Sequence, residues 1–421
     1  MREMKDSGIE WIGQIPKEWE LRRAKTLFTQ RNSKGNEIEV LLSPTQKYGV
    51  VPQSQLEGVV QVKEDTDLQM FKTVHKGDFV ISLRSFQGGF EYSLYEGVCS
   101  PAYQVFYPTS PICDTYYRYL FKSQSFISKM NNLTVGIREG KNIQYVDFAN
   151  SQIPVPPLAE QERIAAFLDA ECAEIDAVLE KTRASIEEYK KLKQAVITQA
   201  VTKGIRGDRP MKDSGIEWIG DIPAEWNKDK AIRVFSVIGS GTTPKSSDEN
   251  LFDGNTPWIQ SGDINGENLF VTKNCVSNSA IESYSALRVY QAPYLVVAMY
   301  GASVGNLSLS MIDACVNQAC CVLKKPTINL KFSFYIFKAV KDYLARKAVG
   351  GGQPNISQET IKQLWLPIPS ADEQIEISNY LDEKCRSVDA LIAKKQQYLT
   401  EIETYKKSLI YEYVTGKKEV I

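Results

Sequence analysis

Histidine is nearly absent from this 421-residue chain: His75 is the only one. That scarcity confines any Ser-His-Asp triad to one position, where Lys76-Gly77-Asp78 follow in a turn-like setting, and it removes a common metal ligand. The eight cysteines include no CxxC pair, which excludes the usual zinc spacings. Cys315, Cys320 and Cys321 lie close together in an apolar, strand-like run without another ligand type, so they read as buried thiols of a reducing compartment. No apolar run approaches the ~20 residues needed to span a bilayer. The first residues, MREMKDSG, lack the apolar core of a signal peptide. These absences predict a cytoplasmic protein without a metal site.

Charge of one sign is also lacking, since the net charge is −1. The balance hides a partition. Residues 20–152 carry 15 Lys+Arg against 13 Asp+Glu, and residues 227–366 carry 14 against 10, so the remainder of the chain is acidic. Two mildly basic segments fit contact with nucleic acid, but a protein holding DNA alone is usually more basic, because phosphate neutralisation supplies most of the affinity. A partner is expected to supply the rest.

What is present is repetition. MKDSGIEWIGQIPKEW (Met4–Trp19) recurs as MKDSGIEWIGDIPAEW (Met211–Trp226), identical at 14 of 16 positions at an offset of 207. A second repeat sets IPVPPLAEQERIAAFLDAECAEIDAVLEK from Ile153 against LPIPSADEQIEISNYLDEKCRSVDALIAK from Leu366, at an offset of 213. Between the repeats each half carries a long segment that differs from its counterpart. The second repeat predicts long helices. Leu168, Ile175, Leu179 and Ile186 in one copy, and Leu381, Val388, Ile392 and Leu399 in the other, fall on a heptad seam flanked by charge, and each helix most simply buries its seam on the other. Ser370 and Glu373 form an S-x-x-E capping box, and Gly204 and Gly416 are expected helix stops. Trp11, Trp19, Trp218 and Trp226 are anchors, either on the chain's own helices or on a partner.

The two intervening segments read as mixed α/β. FVISLRSFQGGFEYSLYEGVCSPAYQVF from Phe79 aligns with LVVAMYGASVGNLSLSMIDACVNQACCVL from Leu295, with Gly89/Gly305 and Cys99/Cys315 in register, so a shared fold is expected. The turn after the first strand differs in chemistry: Arg84, Ser85 and Gln87 in one segment, Tyr300 and Ser303 in the other. Arg and Gln suit bidentate readout of guanine and adenine. Further candidate DNA contacts are Gln46, Lys47 and Tyr48 in one turn, Thr243, Lys245, Gln260 and Ser261 in a polar loop region, and Arg138, Lys141, Asn142, Gln353 and Asn355 in glycine-bearing loops that let a backbone approach phosphates.

Catalytic motifs fail on inspection. GIREGK (Gly136–Lys141) is one residue short of a P-loop and lacks its Ser/Thr, GSGTTP (Gly239–Pro244) lacks the third glycine of a dinucleotide fingerprint, and NTPW (Asn255–Trp258) has Thr256 in place of the first proline of the amino-methyltransferase motif.

The ordered set of twin SGIEWIGxIPxEW segments, PPLAEQERIAAFLD (Pro156–Asp169), its copy IPSADEQIEISNYLD (Ile368–Asp382) and the GxTP-type start at Gly241–Pro244 resembles the specificity subunit of type I restriction–modification enzymes. The copy departs from the pattern at Ser370-Ala371, in place of Pro-Leu. The resemblance implies an α+β chain: two mixed α/β target-recognition domains separated by two long helices packed as an antiparallel coiled coil, with a pseudo-two-fold internal repeat. It implies a constant segment over 1–19, recognition domains over 20–152 and 227–366, helices within 153–208 and 367–421, and a repeated segment within 209–226. Each recognition domain would read half of a bipartite, asymmetric double-stranded DNA site, with the helices setting the spacer. Two methyltransferase subunits using S-adenosylmethionine, and ATP- and magnesium-dependent restriction/translocase subunits, would be the partners, leaving this chain without catalysis or a cofactor of its own. The rival readings are a self-contained methyltransferase or nuclease, and a coiled-coil scaffold that binds no DNA.

Overall fold

Each copy of the repeated segment folds as a short antiparallel hairpin. Met4–Asp6 pairs with Gln14–Pro16, and Met211–Asp213 pairs with Asp221–Pro223 in the same register. Shared side chains build the turn: Asp6 Oδ1 accepts from the Gly8 amide at 3.0 Å, and Asp213 Oδ1 from the Gly215 amide at 2.8 Å. Gly8 and Gly215 lie at φ +67° and +66°, a conformation disfavoured by roughly 1–2 kcal/mol for residues with a Cβ.

The computed structural model describes residues 2–35, 40–56, 68–82, 89–133, 143–266, 268–348 and 354–420. The chain forms two compact units, Met1–Arg183 with Gln397–Ile421, and Ala184–Gln396. The predicted helices are continuous over Leu158–Lys203 and Ala371–Val414, and each contributes residues to both units. The first helix stops at the predicted glycine, where the Gly204 amide bonds Ala200 O at 3.1 Å and φ is +76°.

Unit 1 is built on a four-stranded antiparallel sheet in the order Phe28–Arg31, Gln104–Pro108, Phe79–Ile81, Phe90–Tyr92. Helix Asp114–Lys122 covers it with Tyr116, Tyr117, Leu120 and Phe121. Unit 2 repeats the order as Phe235–Gly239, Cys320–Pro326, Tyr294–Ala298, Leu307–Ser310, and adds Asn268–Leu269 in parallel at the edge. The common strand order is the shared fold that the alignment through Gly89 and Gly305 predicted. Both glycines have positive φ, +136° and +78°. The strand entering each variable segment pairs with the strand leaving it: Glu20–Arg23 with Gln152–Val155, and Asn227–Lys230 with Trp365–Ile368.

Within each unit the paired helix segments run antiparallel. Asp176 meets Lys406 at 2.7 Å and Arg183 meets Glu403 at 2.6 Å in unit 1, while Lys193 meets Asp389 at 2.6 Å in unit 2. Leu168, Leu179, Ile186 and Leu381 are buried, whereas Ile175, Val388, Ile392 and Leu399 are half-buried. Continued from Ile186 in steps of three and four, the seam reaches Val196 and Ala200; Ala200 is buried, Val196 is half-buried, and the neighbouring Ile197 and Val201 are buried as well. A straight helix loses ~20° per heptad against a strict 3.5-residue repeat, which moves the apolar stripe onto the next position. The cysteines are free thiols, and burial pushes Cys99 and Cys321 up to about 12, so both stay protonated at neutral pH.

Candidate nucleic-acid interface

Three candidate loops of unit 2, far apart in sequence, gather at the turn Asn317–Ala319. The Gly241 amide donates to Asn317 O at 3.4 Å, the Asn317 amide to Ile259 O at 3.0 Å, and the Met299 amide to Ala319 O at 2.7 Å. Thr243 Oγ1 donates to Gln318 Oε1 at 2.6 Å. Gln260, which follows Ile259, accepts from Asn274 Nδ2 at 2.7 Å, and Ser261 opens the adjoining turn. Tyr300 is bridged to Asn355, and the Ile356 amide bonds Met299 O at 2.9 Å. Thr243, Gln260, Ser261, Tyr300, Ser303 and Asn355 therefore share one end of the sheets. Lys245 is exposed two residues beyond Thr243, with its amide held by Tyr284 Oη at 3.1 Å. Amides, hydroxyls and a lysine at loop ends can bond base edges and phosphates. Gln318 and Asn274 went unnoticed in the sequence, although an Asn-Gln pair breaking the apolar run CVNQACC is itself a turn signal.

Unit 1 presents Gln46, Lys47 and Tyr48 on the hairpin turn between Leu42–Thr45 and Gly49–Pro52. Thr45 Oγ1 accepts from the Tyr48 amide at 3.0 Å and donates to Gly49 O at 3.0 Å, which fixes the turn. Tyr48 is 60 % exposed, and Lys47 Nζ lies 4.8 Å from its ring centroid. Lys122 supports the turn from below, bonding Gln46 O at 3.3 Å and the buried Glu91, whose carboxyl is pushed up to about 7 by burial against the opposing pull of Lys122. Arg84, Ser85, Gln87, Arg138, Lys141, Asn142 and Gln353 lie outside the described residues. Among the described residues no His/Cys/Asp/Glu group is placed to hold a metal, and no helix is long and apolar enough to cross a membrane.

The constant parts carry a second arrangement, present twice. Trp19 Nε1 donates to Glu160 Oε2 and Trp226 Nε1 to Glu373 Oε2, both at 2.9 Å. Arg2 bonds Glu160 at 2.8 Å and Arg209 forms an ion pair with Glu373 at 2.7 Å, each guanidinium lying over its tryptophan at 5.5 and 5.2 Å. One expectation is narrowed here and one, the capping box, is corrected. Trp19 and Trp226 are 0 % and 1 % exposed, so they are internal anchors and present no surface to a partner. Trp11 and Trp218 are half-buried: Trp11 packs edge-on to Phe126 and Trp218 Nε1 bonds Trp365 O at 3.2 Å. The capping box is half made, because the Glu373 amide reaches Ser370 Oγ at 3.4 Å while its carboxylate turns to Trp226 and Arg209. Charge-assisted bonds are roughly twice as strong as neutral ones, so the tertiary partners outcompete the local amide.

The next polar residues of the same repeat act alike. Gln161 Oε1 accepts from the Cys113 amide and Gln374 Oε1 from the Asn329 amide, at 2.9 and 2.6 Å. Tyr119 Oη donates to Asp169 and Tyr335 Oη to Asp382, both at 2.7 Å. The motif that repeats is therefore a row of clamps on each helix, the glutamate holding the repeated hairpin and the glutamine and aspartate holding the segment that follows it.

Comparison with known proteins follows the same division. The family model for the type I restriction modification DNA specificity domain matches residues 16–188 and 223–403. A putative type I restriction enzyme MjaX specificity subunit of Methanocaldococcus jannaschii is 24 % identical over 97 % of this chain and 96 % of its own length. The EcoBI specificity subunit of Escherichia coli is 21 % identical over 69 % of this chain and 63 % of its own. Among solved structures, a chain from work on complex assembly and conformational transition of the type I R-M system superposes with a TM-score of 0.73 at 16 % identity, covering 96 % of this chain and 99 % of that one. The HsdS subunit of Thermoanaerobacter tengcongensis gives 0.50 at 17 % identity, covering 96 % and 98 %. Because the family match runs through both halves and takes in Trp19 with Glu160 and Trp226 with Glu373, the chain belongs to the type I restriction modification DNA specificity family.

Proposed function

We propose that this chain is the sequence-reading subunit of a type I restriction–modification assembly, with the variable segments 20–152 and 227–366 as its two recognition domains. The observation that carries this is one strand order used twice with different side chains at the loop ends: Gln46-Lys47-Tyr48 in unit 1, and Thr243, Gln260 and Tyr300 around Gln318 in unit 2. A shared scaffold with two chemistries suits a bipartite site whose halves differ. The entry and exit strand pairs support the segment boundaries. Two methyltransferase subunits with S-adenosylmethionine, and ATP-driven restriction subunits, would complete the assembly in the cytoplasm, and the target adenine would be flipped into the methyltransferase. The chain itself would be non-catalytic. Chain alone, incubated with labelled S-adenosylmethionine and host DNA, is expected to transfer no methyl group. Co-expressed with its methyltransferase, it is expected to yield one bipartite methylated motif on methylome sequencing. Methyl transfer by the chain alone, or methylation without a bipartite motif, would sink the reading.

Lys47 provides a local test. Lys47→Ala is expected to weaken DNA binding evenly across sequences and to reduce the slope of log affinity against log salt by about one, the signature of one lost phosphate contact. A change confined to one base position would instead assign Lys47 to a base edge.

A further inference from the structure

Two adjacent large apolar side chains stand in solvent on the loop between Asn268–Leu269 and Asn274–Val276 of unit 2. Phe270 is 65 % exposed and Val271 is 76 % exposed, the highest values among the large apolar side chains of the described residues. Singly exposed apolar residues need no explanation, but two consecutive ones on a loop otherwise rich in Asn, Thr and Lys do. The loop is not loose. The Met311 amide holds Leu269 O at 2.9 Å, and Thr272 Oγ1 closes onto Asn274 O at 2.8 Å.

The loop is also tied to the candidate reading turn. The Asp263 carboxylate accepts the Gln260 amide at 2.9 Å on one oxygen and the Lys273 amide at 3.3 Å on the other. Asn274 Nδ2 bonds Gln260 Oε1 at 2.7 Å. Gln260, Ser261, Lys273 and Asn274 thus form one tip, and the apolar pair precedes Lys273 on the same loop. The tip's amides and its lysine suit base edges and phosphates, and the apolar pair has a specific counterpart on DNA. In the major groove, the thymine 5-methyl is the apolar group that base edges present, and phenylalanine is among the side chains that contact it.

We propose that Phe270 and Val271 read a thymine methyl group in one half of the DNA site. This rests on the proposed function and adds to it the base and the residues that recognise it. The adjoining amides and Lys273 favour DNA over a protein partner as the occupant, since an apolar protein patch would not call for them.

The test uses the chain assembled with its methyltransferase subunit and duplexes of the motif found by methylome sequencing. Each thymine is replaced in turn by uracil, which removes only the 5-methyl. For the unaltered assembly, one replacement, in one half-site, is expected to lower affinity about fourfold, the worth of burying one methyl-sized group. Phe270→Ala and Val271→Ala, whose thermal melts should match the parent because both side chains are exposed, are expected to bind the thymine duplex more weakly and to lose that discrimination. A thymine-to-uracil penalty unchanged in both variants, or a motif without thymine, overturns the proposal. So does loss of the methyltransferase from the purified variants with half-site preferences intact, which would make the loop a protein-docking element. Failure of the unaltered assembly to bind any bipartite motif would instead count against the proposed function.

Discussion

Glu373→Ala is expected to destabilise unit 2 by about 1–3 kcal/mol, the cost of leaving a buried donor unsatisfied, and Glu160→Ala to do the same to unit 1. Glu373 is 2 % exposed and holds two buried partners at once, the Trp226 indole at 2.9 Å and the Arg209 guanidinium at 2.7 Å. Removing it leaves an indole N–H without an acceptor and takes the buried carboxylate from a guanidinium whose side chain is 11 % exposed, leaving Arg209 with Glu225 at 3.0 Å and Lys203 O at 3.0 Å. The indole donor is the group left unpaired, while Arg209 loses its buried counter-charge and keeps its more exposed one, Glu225. Glu373→Gln separates the two effects, as it keeps an oxygen for Trp226 and removes the charge opposite Arg209; it should fall between the parent and the alanine variant. Denaturant unfolding measures the loss, and hydrogen exchange shows that it is confined to the unit carrying the substitution. A cost below about 1 kcal/mol for Glu373→Ala would mean that the clamp is solvated and ornamental.

The clamps explain what the sequence could and could not show. The heptad seam was legible because its information is local: an apolar residue every three or four positions reports a buried face without reference to the rest of the chain. The clamp was not, because Trp19 and Glu160 stand 141 residues apart, and Trp226 and Glu373 stand 147 apart. Periodicity carries no signal over such separations. Local rules misassigned Glu373 to a cap for the same reason. Arg2 and Arg209 obey the offset of 207, but the residue after each differs, Glu3 against Pro210, so the repeat looked as if it began at Met4.

The far boundary of the repeat was misplaced in a similar way. Beyond Trp19 and Trp226 the next four residues are Glu-Leu-Arg-Arg against Asn-Lys-Asp-Lys, mostly exposed positions on the entry strands. Matching then resumes at buried positions: Ala24 with Ala231, both 0 % exposed, then Leu27 with Val234 and Phe28 with Phe235. The Ala24 amide bonds Ser151 O at 2.9 Å and the Ala231 amide bonds Leu364 O at 2.8 Å, again in parallel. The common scaffold thus runs into the variable segments, visible only once burial is known. The interface loops were legible as loops and no further, since what unites them is the turn at Asn317–Ala319, made by backbone bonds to residues up to 76 positions away, as from Gly241 to Asn317.

Phe28 and Phe235 occupy matching scaffold positions in different surroundings, and their alanine variants should differ accordingly. Phe28 is 0 % exposed and meets the rings of Phe79, Phe106, Tyr117, Phe121 and Phe148 at centroid distances from 5.3 to 5.9 Å. Phe235 is 2 % exposed and meets Phe337 at 6.1 Å within a mostly aliphatic cluster. Truncating a buried phenylalanine costs about 3–5 kcal/mol through lost transfer energy and the cavity left behind. Each well-placed ring pair adds about 0.5–1.5 kcal/mol beyond buried area. Phe28→Ala should therefore sit at the top of that range and Phe235→Ala nearer its floor, where Leu and Ile side chains also relax more readily into the space than a packed array of rings. Phe28→Leu checks the reasoning: it restores most of the volume but none of the ring geometry, so it should recover more than half of the loss without abolishing it. Urea unfolding of the three variants measures the order, and equal costs for Phe28→Ala and Phe235→Ala would show that ring geometry adds nothing to burial in unit 1.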